Sequence, residues 1–439
     1  MYASVAVRSS CGRFHRAACG NTFEFKIESK SSRTEGRDAI HASVVASYAA
    51  RKHHHSANHA TCAHSHSGGL IVANCSGTSA ASGKVSTCAR NCARSAHISA
   101  RKAAPLKLRA LCDSCGVKPR VVIVSPANAK ANNGNWHTAA RWARFLSTDY
   151  AVSVVGRWGN RTERAAPPEV LLALHARRSS GSVAAYRSAR PKGGLIVALT
   201  GTDVYRDIRT DEAAKHSLQL ADRLIVLQPK AIDELANALK PKCDVVFQSA
   251  RALKPSERYQ RHFDVVQVGH LRHEKDPFTP ITALRQLPSK SRVQLTHIGN
   301  ALDAEHADAM AIVARSEPRL NWLGGVGHAA TRARIKRAHL LVIASRMEGG
   351  ANVIVEAITA GVPVIASFVS GNIGMLGDDY PGYFPLGDAA ACEALMSRAE
   401  TDASFYARLC RASKSLEKRF TPLRENRAIQ KVVRAAVRA

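Results

Sequence analysis

The chain has 439 residues, 45% of them hydrophobic, with 63 Lys/Arg against 34 Asp/Glu and a formal net charge of +29. That length suits two or three domains with large cores. No apolar run reaches the ~20 residues needed to span a bilayer and the N-terminus lacks the apolar core of a secretory signal, so stable membrane insertion is not expected and the protein reads as cytoplasmic.

The charge is spread rather than striped: residues 1–117 hold 16 Lys/Arg against 5 Asp/Glu, and residues 118–439 hold 47 against 29. Zinc-finger spacing, basic-region heptads and aromatic–basic interleaving are absent from the sequence, which argues against nucleic acid as a partner. A diffuse positive surface instead suits phosphorylated substrates. Eight of the eleven cysteines precede residue 118, and Cys243, Cys392 and Cys410 stand singly, as in a reduced compartment without a disulfide framework.

In chain order, residues 1–117 form a low-complexity extension rich in Ala, Ser, His, Arg and Cys, expected to be disordered because it cannot bury enough apolar area to offset ordering entropy. Its HHHSANHATCAHSH (53–66) and CDSC (112–115) stretches hold metal-ligand residue types in spacings that match no zinc template. The sequence also has no DxD metal motif, and no metal and no other cofactor is expected. From Pro119 the texture changes: PRVVIVSP (119–126) is a buried parallel strand, followed by a loop with Asn133-Gly134-Asn135 and a helix over WHTAARWARFL. Further strands are expected at 151–156, 170–176, 195–201, 223–228 and 244–250, with a linker over 251–262. The pattern restarts at 263–271, 293–299, 320–326, 340–345 and 363–367, and the tail from 389 is helical, with Pro422 starting or breaking its last helix. This alternation predicts an α/β fold with two Rossmann-like domains facing one cleft. The expected boundaries are 118–258 for the first domain, 259–405 for the second, and 406–439 for C-terminal helices packing back on the cleft.

Ligands in such sheets bind at the carboxyl ends of the strands. The stretch SRMEGGANVIVEAITAGVPVIAS (345–367) ends a strand, turns at Gly349-Gly350 and enters a helix near Asn352. The two glycines allow the backbone to approach a ligand closely and to take positive φ. The helix start, with Ala351 and Asn352, offers N–H groups to a diphosphate. Glu356, one turn in, suits the two hydroxyls of a ribose, and Glu348 at the turn suits a sugar hydroxyl beyond the phosphate. Either glutamate alone could as well be read as complementing a helix dipole. In the first domain, His175, Arg177 and Arg178 cluster at one strand end and Gly201, Thr202 and Asp203 at the next. Gln228, Pro229 and Lys230 end a third and open a helix. Together they offer cations and donors to an acceptor.

The spacing EGGANVIVE resembles the E-x7-E signature of family-4 glycosyltransferases, with the Ala-Gly turn (Ala360-Gly361) and the Ser370-Gly371-Asn372 segment behind it. That resemblance, over roughly residues 119–420, implies the GT-B fold and a nucleotide-sugar donor, with Glu356 on the ribose and Glu348 on the transferred sugar. It also makes Lys275, in VGHLRHEKDP (268–277), a diphosphate clamp. His270 stands where the family usually has arginine, so either Arg272 supplies the second cation or His270 serves a different acceptor. Trp322-Leu323-Gly324 resembles the base-cradling segment.

Five separated stretches, PANAKANNGNWHTAARWARFL, LLALHARRS, LIVALTGTDVYRDI, SLQLADRLIVLQPKAI and VGHLRHEKDP, are similar to the selenosugar synthases of selenoneine biosynthesis. That likeness implies transfer of a hexose or hexosamine from a UDP-sugar (UDP-N-acetylglucosamine or UDP-glucose) onto selenophosphate. Glu348, Lys275 and His175 would then be catalytic. Glu356, Gly349, Gly350, Ala351, Asn352, His270, Arg272 and Gly324 would bind the donor. Asn133, Gly134, Asn135, Arg177, Arg178, Thr202, Asp203 and Lys230 would bind the acceptor. The other expectation from the same fold is an ordinary glycosyltransferase with an oxygen acceptor, a glycan or lipid.

Overall fold

The computed structural model describes residues 118–127, 134–254 and 256–438. The expectations for residues 1–117, with both His/Cys stretches, lie outside the described residues, and so does Asn133.

Two six-stranded parallel sheets dominate. The first comprises β1 (Arg120–Val124), β2 (Ala151–Val155), β3 (Val170–Leu174), β4 (Gly194–Leu199), β5 (Arg223–Val226) and β6 (Cys243–Val245) in the order β2-β1-β3-β4-β5-β6. The second comprises β7 (Phe263–Val268), β8 (Val293–Ile298), β9 (Leu320–Trp322), β10 (Leu340–Ile343), β11 (Val364–Ser367) and β12 (Tyr383–Phe384) in the order β12-β11-β10-β7-β8-β9. The central strands VLLAL and GLIVAL are buried at every position, as a sheet covered on both faces requires, whereas edge strand β2 is exposed at alternate residues. Each expected strand is present; β12, two residues long, has no counterpart among them.

The two faces of the first sheet build separate cores. One packs Trp158, Tyr186, Val204 and Leu218. The other packs Trp142 and Leu146 of the helix Gly134–Leu146 with Ile429, Val432, Val433 and Ala436 of the last helix, Pro422–Arg438. Pro422 therefore starts that helix, where its missing N–H costs nothing. Gly134 and Asn135 belong to a first helical turn, not a loop. Thr138 Oγ1 bonds back to the Gly134 carbonyl at 2.8 Å within that turn. The second sheet carries one continuous core from Phe263 to Phe420. Between β6 and β7 the described chain holds no regular element.

Candidate active site

The carboxyl ends of β7, β8 and β9 are laced together by backbone bonds: Gly269 N–H to the Ile298 carbonyl at 2.9 Å, Leu271 N–H to Asn300 at 2.9 Å and Gly299 N–H to Gly324 at 2.8 Å. A Cβ at Gly299 would stand 1.9 Å from the Gly269 carbonyl oxygen, so only glycine lets these loops meet. Trp322 Nε1 donates to the Gly299 carbonyl at 2.9 Å, and Gly324 sits at φ 62° behind it. Beneath the lacing, His297 is 1% exposed, its ring nitrogens 3.0 Å from Gln267 Oε1 and 3.1 Å from the Gly269 carbonyl. Burial pushes its imidazole down to about 4.

From this platform the single turn His273–Lys275 presents Lys275, whose ammonium pairs with Glu348. Ser345 Oγ donates to the same carboxylate oxygen at 2.6 Å. Glu348 is 6% exposed, a buried charge held by a cation and a hydroxyl. The Lys275 turn is fixed from the loop that follows β10. Arg346 N–H donates to the Glu274 carbonyl at 2.9 Å, and the Arg346 guanidinium stands 3.2 Å from Asp276, which occupies the left-handed region at φ 44°. Ser345 and Arg346 were not among the expected residues; their position at the end of β10, opposite the Lys275 loop, is the signal that would have found them. His270 accepts the Asn300 N–H at Nδ1 (3.2 Å), and burial with nearby Arg272 pushes its pKa down, so the imidazole braces a loop. Arg272 keeps a buried Nε without a hydrogen-bond partner, the unspent donor at this strand end.

The Gly-Gly turn departs from expectation. Neither Gly349 nor Gly350 takes a positive φ. Their lack of side chains serves the opposite sheet: a Cβ at Gly349 would meet the Thr200 carbonyl at 2.5 Å, and one at Gly350 would meet Leu227 Cβ at 2.5 Å. Behind the turn, Ala351 gives no side-chain cap to the seven-residue helix Asn352–Ile358. On that helix Glu356 is 8% exposed and receives His328 Nε2 at 2.7 Å.

The first sheet brings His175, Thr202, Asp203 and Asp207 together. His175 is buried at φ 71°, a left-handed conformation that a non-glycine residue adopts at a cost, and this marks the strand end as built for something other than stability. Its Nε2 lies 3.3 Å from Thr202 Oγ1 and 3.9 Å from Asp207. Burial pushes the imidazole down while Asp203 pulls it up. The Asp203 carboxylate is wholly buried and spent on the N–H groups of Ala176, Thr200 and Gly201, so it ties two loops together. It opens a five-residue π-turn, Asp203–Asp207, a feature common at functional positions.

Arg177 and Arg178 are exposed, and Arg177 Nε pairs with Asp211 at 3.0 Å. Gln228, Pro229 and Lys230 open a single 3₁₀ turn, Pro229–Ile232, not a helix. Lys230 reaches across to Asp378 at 2.9 Å, as Arg206 does to Glu274 at 3.3 Å, so two ion pairs join the sheets' facing loops. A Cβ at Gly134 would lie 3.4 Å from Asn352 Nδ2, which brings the two helix starts together. Among the described residues no cluster of three His, Cys, Asp or Glu could hold a metal ion, and no helix is long and apolar enough to cross a membrane.

Residues 248–415 match the family model "Glycosyl transferases group 1". No curated protein matches the chain. Among solved structures, HepE of Anabaena in complex with UDP superposes with a TM-score of 0.59 at 15% identity, over 73% of this chain and all of that one. Its complex with UDP-glucose gives 0.57 at 14%, over 72% of this chain and all of that one. Sucrose-phosphate synthase from Thermosynechococcus elongatus gives 0.59 at 16%, over 72% of this chain and 98% of its own. At such identities the likeness is one of fold, and the fold is GT-B.

Proposed function

We propose that this chain, a glycosyltransferase by its group 1 domain over residues 248–415, moves a hexose or hexosamine from a UDP-sugar onto selenophosphate. The observation that carries the donor half of the reading is the pair of buried carboxylates, Glu348 and Glu356, set either side of a glycine turn with Lys275 on the first of them. In this reading the diphosphate takes Lys275 and Arg272, the ribose takes Glu356, and the transferred sugar meets Glu348. HepE, a neighbour in fold, is solved with UDP-glucose and with UDP, which agrees with such a donor.

The chemistry asks little of a general base. Selenophosphate is an anion with a soft selenium nucleophile, so it needs a cationic seat and alignment with the anomeric carbon. The C–Se bond forms as the anomeric C–O bond to UDP breaks, and the electron pair leaves with the β-phosphate oxygen. Charge growing there is stabilised by the Lys275 ammonium, which must then exchange Glu348 for phosphate. On the acceptor side, His175 and Thr202 would position the nucleophile, with Lys230, Arg177 and Arg178 supplying positive potential around the entrance. Asp203 would act through the loops it holds.

The test is incubation of the protein with UDP-N-acetylglucosamine or UDP-glucose and selenophosphate, with mass spectrometry for free UDP and a selenium-bearing sugar. Parallel reactions with thiophosphate and with simple alcohols complete it. A selenosugar formed in preference to the oxygen products supports the acceptor. Release of UDP with alcohols alone would leave a glycosyltransferase of the ordinary oxygen-acceptor kind and overturn the selenium reading.

A further inference from the structure

The ribose-side carboxylate has a partner that comes with a second imidazole from the other sheet. His328 opens the helix His328–Arg337, and its Nε2 holds Glu356 Oε1 at 2.7 Å. On the opposite side of the cleft, the helix Gly134–Leu146 carries His137, whose ring stacks on His328 with centroids 4.5 Å apart and planes inclined by 29°. The stack therefore joins the first-sheet half to the second, one side chain away from the carboxylate. Arg332, one turn along the His328 helix, adds positive potential to Glu356, and its own guanidinium is fixed by the Arg251 carbonyl at 2.7 Å. Neither histidine belongs to the E-x7-E spacing, and nothing in the reaction asks either to move a proton.

We propose that His328 is the positioning residue of the donor site, holding one oxygen of Glu356 so that the carboxylate meets the ribose in a fixed rotamer, and that His137 completes this support only when the two halves are apposed. The inference rests on the reading of Glu356 as the ribose-binding group. A carboxylate on a three-torsion side chain loses rotamer freedom when it binds, and a partner that has already ordered it spares the ligand part of that cost. Because His137 arrives from the far half, nucleotide binding and apposition favour one another, and by linkage each effect equals the other. His137 is buried enough to favour its neutral form; the charged groups acting on it are His328 and Arg141, which oppose a proton, and Glu356, which favours one.

The experiment is calorimetric titration of UDP into the full chain, wild type and variants, with donor-dependent kinetics and thermal melts alongside. Glu356→Ala should weaken UDP about tenfold or more, as loss of charge-assisted bonds does. His328→Ala should weaken it about fivefold, raising donor KM while kcat stays within about twofold, and His328→Gln, which keeps an N–H near Nε2, should recover most of the loss. His137→Ala should weaken UDP about threefold with the melting temperature unchanged. Adding His328→Ala to Glu356→Ala should cost almost nothing further.

If Glu356→Ala weakens UDP but His328→Ala does not, or if the two losses add, the positioning role is wrong and the donor reading stands. If Glu356→Ala itself binds UDP like wild type, the donor reading falls first. Loss of stability without any change in affinity would show that the imidazole pair is only packing.

Discussion

Gly349 shows how one residue decides whether the halves of the site meet. The atoms a Cβ would strike there are the Thr200 carbonyl and the Gly201 nitrogen at 2.5 and 2.6 Å, backbone that no rotamer change can move. Gly349→Ala should therefore cost the apposed form about 1–3 kcal/mol, the usual penalty of overpacking. Under the proposed function, which sets His175 on the acceptor and Glu348 on the transferred sugar, turnover should fall by that factor. UDP affinity, which the same reading seats mostly on the second sheet, should fall less. A variant with wild-type turnover would show that the halves work without this contact. The sequence marks Gly349 and Gly350 as special, but for approach to a ligand, whereas the space they leave is taken by the other half of the chain. What it does not carry is the identity of the approaching body, because that depends on Thr200 and Leu227, about 150 and 120 positions away in the chain.

At the scale of elements, the strand runs were legible because fully buried parallel strands write themselves as uninterrupted Val, Ile and Leu. VLLAL and GLIVAL leave no other reading. The two-residue β12 writes no such pattern, and the turn after Gln228 shows why a proline start is weak evidence for a helix: Pro229 fits a first turn of either kind, and the chain there closes only one 3₁₀ turn. Ser345, Arg346, His137 and His328 were illegible for another reason. Each gains its role from a partner brought by a different strand or helix, and no local spacing encodes that.

The β7–β8 pair carries a prediction of its own. His297 sits inside it at 1% exposure, neutral, braced between Gln267 and the Gly269 carbonyl that shapes the Lys275 loop. Its pKa falls from about 6.5 in the unfolded chain to about 4 in the folded one. Below 6.5 the unfolded chain binds the extra proton, so the stability this residue protects is complete above 6.5 and is lost progressively as pH falls toward 4. A shift of that size is worth about 3 kcal/mol over the window. Urea denaturation of wild type and His297→Gln across that range should show wild type losing more stability toward acid. Parallel profiles would mean that His297 is not a buried neutral group.

For the whole molecule, the question is what keeps two sheets in register when the chain passes between them. It crosses twice, once between β6 and β7 and once into the last helix, and the crossings are bonded to each other by Ala250 N–H to the Phe420 carbonyl at 3.3 Å. After the second crossing, Glu425 anchors the returning helix on the first sheet. Its carboxylate is 1% exposed and accepts Arg141 Nε at 2.7 and 2.9 Å, Trp142 Nε1 at 2.8 Å and Ser249 Oγ at 2.5 Å. Those donors come from the helix that carries His137 and from the first crossing, so one acid fixes the helix beside the cleft, the connection and the tail. Removing it leaves a buried guanidinium and two donors without an acceptor, which costs about 3–5 kcal/mol for a broken buried pair. Glu425→Ala should lower the urea midpoint accordingly, and Glu425→Gln, which keeps one acceptor oxygen, should lower it less. Since His137 and Arg141 share that helix, UDP affinity should weaken in Glu425→Ala even where the protein stays folded. A stability loss near zero, or a full loss with donor binding untouched, would separate the tail from the site and refute this coupling.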